Sequence, residues 1–293
     1  MIRRLPSLTA IAGSVVAVAA IVAGACNRAP GVRGSAVARV IGPVDGTLAN
    51  GDVRLSFRFE APGQGDGPFP AFVIGHGSGE VRKEDCLGLA GNLLRRGFAI
   101  LCYDKRGVGR STGTYVGVDA INSHELIPDL AADMAAAVRF IRNRPEVDPR
   151  RVGLIGGSQA GWIIPHAARD AGVNFMILLV GPTVSVGEEI YFSKFAEETT
   201  TPLARLGGVL KRYEGPRGFD PRLDLEALDI PGLWLLAGSD RSIPTPETVA
   251  ILDDLIAAGK PYERVVYPKA DHSLRGTAIW PDIDRWLDAN VAK

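Results

Sequence analysis

One serine, one aspartate and one histidine in this chain have the residue types and settings to attack an acyl carbon together. Ser158 lies in Gly156-Gly157-Ser158-Gln159-Ala160-Gly161, between an apolar run from Val152 and a helix-like run that follows. A serine hydroxyl is a poor nucleophile at neutral pH, so a neutral imidazole must take its proton and a buried carboxylate must orient that imidazole. Asp240 follows the strand-like "GLWLLAGS", and His272 follows the strand-like "ERVVYPKAD". The chain holds four histidines. His166 lies about two turns along the helix after Ser158, His124 opens a helix, and His76 precedes Gly77, so none of these follows a late strand. Asp271 adjoins His272 and cannot easily curl back onto its ring, which leaves Asp240 as the orienting acid.

The small residues around Ser158 have a mechanical meaning. A chain passing directly from strand to helix strains the central residue and crowds the positions two before and two after it. Those positions are Gly156 and Ala160. Such a bend lifts the hydroxyl to the sheet edge beside a helix N-terminus, where backbone N–H groups can bind a developing oxyanion. The Gln159 N–H is one expected donor. The second is expected from Ser78, in the "HGSG" turn that ends the strand-like "FPAFVIG".

Other motifs exclude chemistry. "YDKRGVGRSTG" (103–113) has G-x-G-x-x-x-G spacing, one residue longer than a dinucleotide fingerprint, and no helical pattern opens there. Asp104 and Arg106 are expected to brace that loop through a salt bridge and hydrogen bonds. No H-E-x-x-H, C-x-x-C or clustered-carboxylate motif offers a metal site, and no cofactor is called for. With 33 basic and 33 acidic side chains, the chain has no electrostatic reason to bind nucleic acid.

The elements that must position these residues alternate along the chain. "VRLSFRF" (53–59) reads as a half-exposed strand, and 69–79, 98–104, 152–157, 174–182, 232–240 and 263–272 contain buried ones. Helical spacing appears at 86–97, 124–145, 161–172, 246–259 and 278–290. The pattern predicts an α/β fold, a mostly parallel central sheet with helices on both faces. Its strand C-termini share one edge, where ligands bind. The segment from about 183 to 227 breaks the rhythm and is expected to form a small cap insertion. Its Tyr191, Phe192 and Phe195 either line a substrate pocket or hold the cap down.

The N-terminus differs in kind. Residues 1–25 carry Arg3 and Arg4, an apolar stretch and then small residues, which is the layout of an export signal. Cys26 follows Ala23-Gly24-Ala25 and is the expected lipid-attachment site of an exported lipoprotein. Plain cleavage to a periplasmic or extracellular protein, or an uncleaved leader in the membrane, are the other readings open. Residues 26–38 read as a flexible tether before the α/β domain at 39–293. Cys86 and Cys102 lie in apolar stretches and are expected to be buried thiols.

Together "HGSG", "YDKRGVGRSTG", "DLAADMAAAVRFIRNRPEVDPRRVGLIGGSQAGW", "LAGSDRSIP" and "ADHSL" resemble the α/β-hydrolase superfamily from about Val53 to the C-terminus. The run R-P-x-V-D-x-x-R-V-G-x-x-G-x-S-Q looks like its dienelactone-hydrolase, prolyl-oligopeptidase and bile-acid acyltransferase-like branches. Alanine at 160 departs from the commoner glycine. The resemblance implies Ser158 as nucleophile, Asp240 as acid, His272 as base and the Gln159 and Ser78 amides as oxyanion hole. It implies a serine hydrolase acting on a small-molecule ester or acyl substrate, a carboxylesterase first, with peptidase, amidase or thioesterase activity as alternatives. A catalytically silent binding protein at the cell envelope is the rival from another class.

Overall fold

In the computed structural model, residues 40–63, 67–199 and 208–291 are described. The expected leader and tether, with Cys26, and part of the expected cap lie outside the described residues. Short segments rich in β-branched and aromatic residues form strands. These are β1 (Val40–Asn50), β2 (Val53–Pro62), β3 (Phe69–Gly75), β4 (Ala99–Tyr103), β5 (Val147–Gly157), β6 (Phe175–Leu179), β7 (Gly232–Ala237) and β8 (Tyr262–Tyr267). The helices are α1 (Leu87–Leu94), α2 (Ser123–Arg142), α3 (Ala160–Ala171), α4 (Val186–Glu198), α5 (Arg222–Ala227), α6 (Thr245–Ala257) and α7 (Trp280–Asn290).

The strands make one sheet in the order β1-β2-β4-β3-β5-β6-β7-β8. β1 and β2 run antiparallel to their neighbours, and every pairing from β4 to β8 is parallel. This is the arrangement that the motifs implied. Side chains alternate across the strands. Phe72, Ile100, Ile155, Ile177 and Leu235 pack with α1 and α7, while Val73, Leu101, Leu154, Leu178 and Leu236 pack with α2 and α3. The sheet is thus buried on both faces, as a parallel sheet requires.

Register decides what reaches the edge. Gly157 pairs with Leu179, Leu179 with Leu235, and Ala237 with Tyr267. The loops after β5, β7 and β8, which carry Ser158, Asp240 and His272, therefore leave the sheet at one level.

Strand β1 was not foreseen. "VIGPVDGTLAN" holds Gly42, Pro43 and Gly46, residue types that strands disfavour, and most of its described side chains are exposed. An edge strand tolerates them, and the ladder shifts register between Ile41 and Val44. Cys86 and Cys102 are buried free thiols.

The loop after β4 is tied down by a buried acid. Asp133 of α2, 1% exposed, accepts from Asn50 Nδ2 at 2.8 Å, Arg106 Nε at 2.7 Å and Arg106 Nη2 at 3.0 Å. Arg106→Met would leave that carboxylate without its ion-pair partner, at an expected cost of about 3–5 kcal/mol. The denaturation midpoint should fall accordingly, and adding Asp133→Leu should recover much of the loss. A wild-type midpoint in Arg106→Met would contradict this account.

Candidate active site

Ser158 sits at the end of β5 with φ of 56°, a left-handed conformation that costs a non-glycine residue strain. Its N–H donates to Leu179 O at 3.0 Å and its carbonyl accepts from Gly161 N at 2.8 Å, so both faces of the bend are fixed. The crowding expected from the sequence is present. A Cβ on Gly156 would stand 2.7 Å from Ala160 Cβ and 3.1 Å from the Gly75 backbone.

Asp240 is 3% exposed. One carboxylate oxygen, Oδ1, accepts from the N–H groups of Ser242 at 2.8 Å and Ile243 at 2.9 Å. The other, Oδ2, lies 2.8 Å from His272 Nδ1. A carboxylate accepts, so Nδ1 carries the proton and Nε2 presents its lone pair. The loops that carry these two residues are zipped together: Gly238 N donates to Tyr267 O and Ser239 N to Ala270 O, both at 2.8 Å. Asp271 turns away and accepts from Ser273 N at 2.9 Å and Ser273 Oγ at 2.6 Å. Those bonds hold its carboxyl below the usual carboxylate range.

The structure therefore joins His272 to Asp240 directly and places Ser158 on the same strand edge. Among the described residues no hydrogen bond links Ser158 Oγ to the imidazole. The remaining histidines are occupied elsewhere or exposed. His166 Nδ1 meets Asp224 Oδ2 at 2.9 Å and its ring packs edge-on to Phe219. His76 is buried against Tyr103 O at 2.8 Å, and burial pushes its pKa down to about 3, which keeps it neutral. His124 is exposed at the start of α2.

Ser78 and Gln159 stand at the ends of β3 and β5, which are adjacent parallel strands. Neither backbone N–H has a protein acceptor among the described residues. Two free amides at one edge, beside the N-terminus of α3, can receive a negatively charged oxygen.

Three features near the site escaped sequence reasoning. Lys105, 2% exposed, bonds to Gly77 O at 2.9 Å, Gly79 O at 3.3 Å and Gln159 Oε1 at 2.7 Å. Arg241, next to the acid, donates through Nη2 to Thr199 O at 2.6 Å and to Ala196 O, which ties the end of α4 to the Asp240 loop. Glu189 of α4 keeps partial exposure as a residue, yet its carboxyl is withdrawn from water. That desolvation, with the Asp240 charge adding to it, pushes its pKa up to about 8. Lys105, two residues past the buried β4 in a glycine-rich loop, carried no signal of burial in the sequence. Of the aromatics on α4, Phe192 is 3% exposed and packs with Ala196 and Val209, while Tyr191 and Phe195 are half-buried. Among the described residues no cluster of three or more His, Cys, Asp or Glu side chains is placed to hold a metal.

Comparison with known proteins bears on the family and the fold. The model of the prolyl oligopeptidase family matches residues 91–288. Esterase EstD of Thermotoga maritima is 24% identical over 221 residues, which cover 66% of this chain and 52% of the relative. The chain thus spans about half the length of that curated relative. The structure of an esterase from Pyrococcus furiosus superposes with a TM-score of 0.65 at 17% identity, covering 86% of this chain and 92% of the other. An acylaminoacyl peptidase from Pyrococcus horikoshii gives a TM-score of 0.65 at 17% identity, with 87% of this chain and 43% of the other covered. At such identities the two structures speak for the fold alone.

Gly156→Ala puts a methyl group into the 2.7 Å gap to Ala160 Cβ. It should lower stability by about 1–3 kcal/mol in a thermal melt. Adding Ala160→Gly should restore part of the loss. An unchanged melting temperature in Gly156→Ala would show that the bend has slack.

Proposed function

The chain belongs to the prolyl oligopeptidase family, and from that membership and the site geometry we propose that it is a serine hydrolase, a carboxylesterase first. The observation that carries the proposal is the Asp240–His272 pair, with its Nε2 lone pair free, at the strand edge that also bears the strained Ser158.

In the proposed cycle, Nε2 of His272 takes the Ser158 proton as Oγ attacks the ester carbonyl carbon. Asp240, held by two backbone amides, stabilises the imidazolium without taking its proton. The carbonyl oxygen becomes an oxyanion, and the Ser78 and Gln159 N–H groups receive it. Collapse breaks the ester C–O bond, and the imidazolium protonates the departing alkoxide. Water then repeats the sequence on the acyl-serine, and the acid leaves with Ser158 restored.

The small insertion between β6 and β7 favours small or flexible esters. Its described α-helices are α4, of 13 residues, and α5, of 6, and Phe192 is spent on its own packing. A second reading, cleavage of peptide or other amide bonds, is supported by the family. A panel of esters, thioesters and aminoacyl amides ranks them by kcat/KM. Export with a lipid on Cys26 is proposed separately, on the leader pattern, and the mass of the mature N-terminus tests it.

A fluorophosphonate probe should label the folded protein at Ser158, with labelling lost in Ser158→Ala. Folded wild-type protein that stays unlabelled would favour a silent binding protein instead. His272→Ala should lose about 10²–10⁴-fold in kcat while remaining folded. Because the imidazole must be neutral to accept a proton, kcat/KM should climb on the acid side. A rate flat from about pH 5 to 8 would rule out histidine as the base in the limiting step.

A further inference from the structure

Lys105 hydrogen-bonds to both strand-end loops carrying the two free amides. It sits just beyond β4, 2% exposed, and among the described residues no carboxylate lies within ion-pair distance of Nζ. A buried cation without a counter-ion persists only when dipoles replace the lost water. An ammonium has three N–H groups. Here they meet Gly77 O at 2.9 Å, Gly79 O at 3.3 Å and Gln159 Oε1 at 2.7 Å.

The consequence follows from peptide geometry. Gly77 O and the Ser78 N–H belong to one rigid trans unit and point in opposite directions. Drawing the oxygen onto the ammonium therefore aims the N–H away from it. The cation also polarises that peptide, which strengthens its N–H as a donor. On the other side, the same ammonium holds the side chain of Gln159, whose backbone N–H is the second free amide.

We propose that Lys105 is the positioning residue of the oxyanion hole, fixing the Ser78 and Gln159 amides against a single ammonium. This inference rests on reading those two amides as the hole. Lys105 touches no substrate and acts through the peptides that it binds.

The charge state of the lysine supplies a signature. Burial pushes its pKa down to about 7. The groups facing it are the Tyr115 ring, with its centroid 5.7 Å from Nζ, the neutral His76, and Asp104, whose carboxylate accepts from Lys83 N at 2.8 Å and Arg110 N at 2.9 Å. Below that pKa three donors meet three acceptors. Above it a neutral amine offers two donors and turns a lone pair toward the third oxygen, so the loop loosens. Activity should therefore fall on the alkaline side.

The test is steady-state ester hydrolysis by wild type, Lys105→Met, Gln159→Leu and the double variant. Gln159→Leu keeps the backbone N–H and removes only the contact at Oε1. Lys105→Met should lower kcat by about ten- to a hundredfold, with KM within about threefold of wild type. The alkaline limb of its pH profile should vanish. The double variant should be no worse than Lys105→Met, because both changes break one assembly. A kcat within about threefold of wild type, or a lowered kcat with the alkaline limb intact, overturns the proposal. If Lys105→Met does not fold, Gln159→Leu decides: a lowered kcat at unchanged KM supports it, and wild-type kcat overturns it. Probe labelling of the wild type is the separate control: folded wild-type protein that stays unlabelled sinks the hydrolase reading itself, whereas a labelled wild type with unchanged kcat in Lys105→Met overturns the role of Lys105 alone.

Discussion

The site depends on a bend that the backbone resists. Ser158 takes a positive φ where strand passes into helix, and the cost of that conformation is borne by the packing around it. Leu179 O and Gly161 N clamp the bend on both sides, and the absence of a side chain at Gly156 lets β5 approach β3 and α3 closely enough to hold it. Relaxation of the serine to an ordinary φ would turn its hydroxyl and the Gln159 amide together. One local strain therefore orients both the proposed nucleophile and half of the proposed oxyanion hole.

Buried charges at this edge are neutralised mainly by main-chain dipoles. Asp240 is held by two N–H groups and Lys105 by two carbonyls, and the backbone supplies most of the stabilisation in each case. Groups fixed in this way need no reorganisation as charge develops during a reaction, which is the physical content of electrostatic preorganisation. Asp133 shows the contrasting solution. Away from the proposed chemistry it is matched by the Arg106 guanidinium, and the pair serves to pin a loop to α2.

Much of this was legible in the sequence because buried parallel strands leave a strong apolar signal, and Ser158 and Asp240 each follow one. His272 follows β8, which was expected to be buried but is half-exposed because it is the edge strand. Strand β1 was illegible because it lies at the edge, where Gly42, Pro43 and exposed side chains are tolerated and leave no alternation to read. Asp104 and Arg106 were expected to brace the same loop. Both do, but each finds other partners: Lys83 and the Arg110 amide for Asp104, Asp129 and Asp133 for Arg106. Partner choice of this kind depends on which helix packs over the loop, and a linear pattern does not encode it. Lys105 was hidden for a related reason. A lysine in a glycine-rich loop reads as solvated, and only the convergence of the loops after β3, β4 and β5 buries it.

A side chain beside Asp240 links the insertion between β6 and β7 to the proposed chemistry. Arg241 reaches from beside Asp240 to the carbonyls of Ala196 and Thr199 at the C-terminal end of α4, where the helix dipole favours a cation. The Glu189 carboxyl of the same helix feels the Asp240 charge, so helix and acid are near one another by two independent signs. A displacement of α4 would pull on Arg241, and through the chain on the Asp240 loop that orients His272. The α4 end of the insertion and the proposed catalytic edge are in this sense one mechanical unit. At the other end, the Asp224 carboxylate, bonded to His166 and Arg169 on α3, anchors α5 to the sheet-bound core. That anchor leaves the α4 end as the part whose movement the acid would sense.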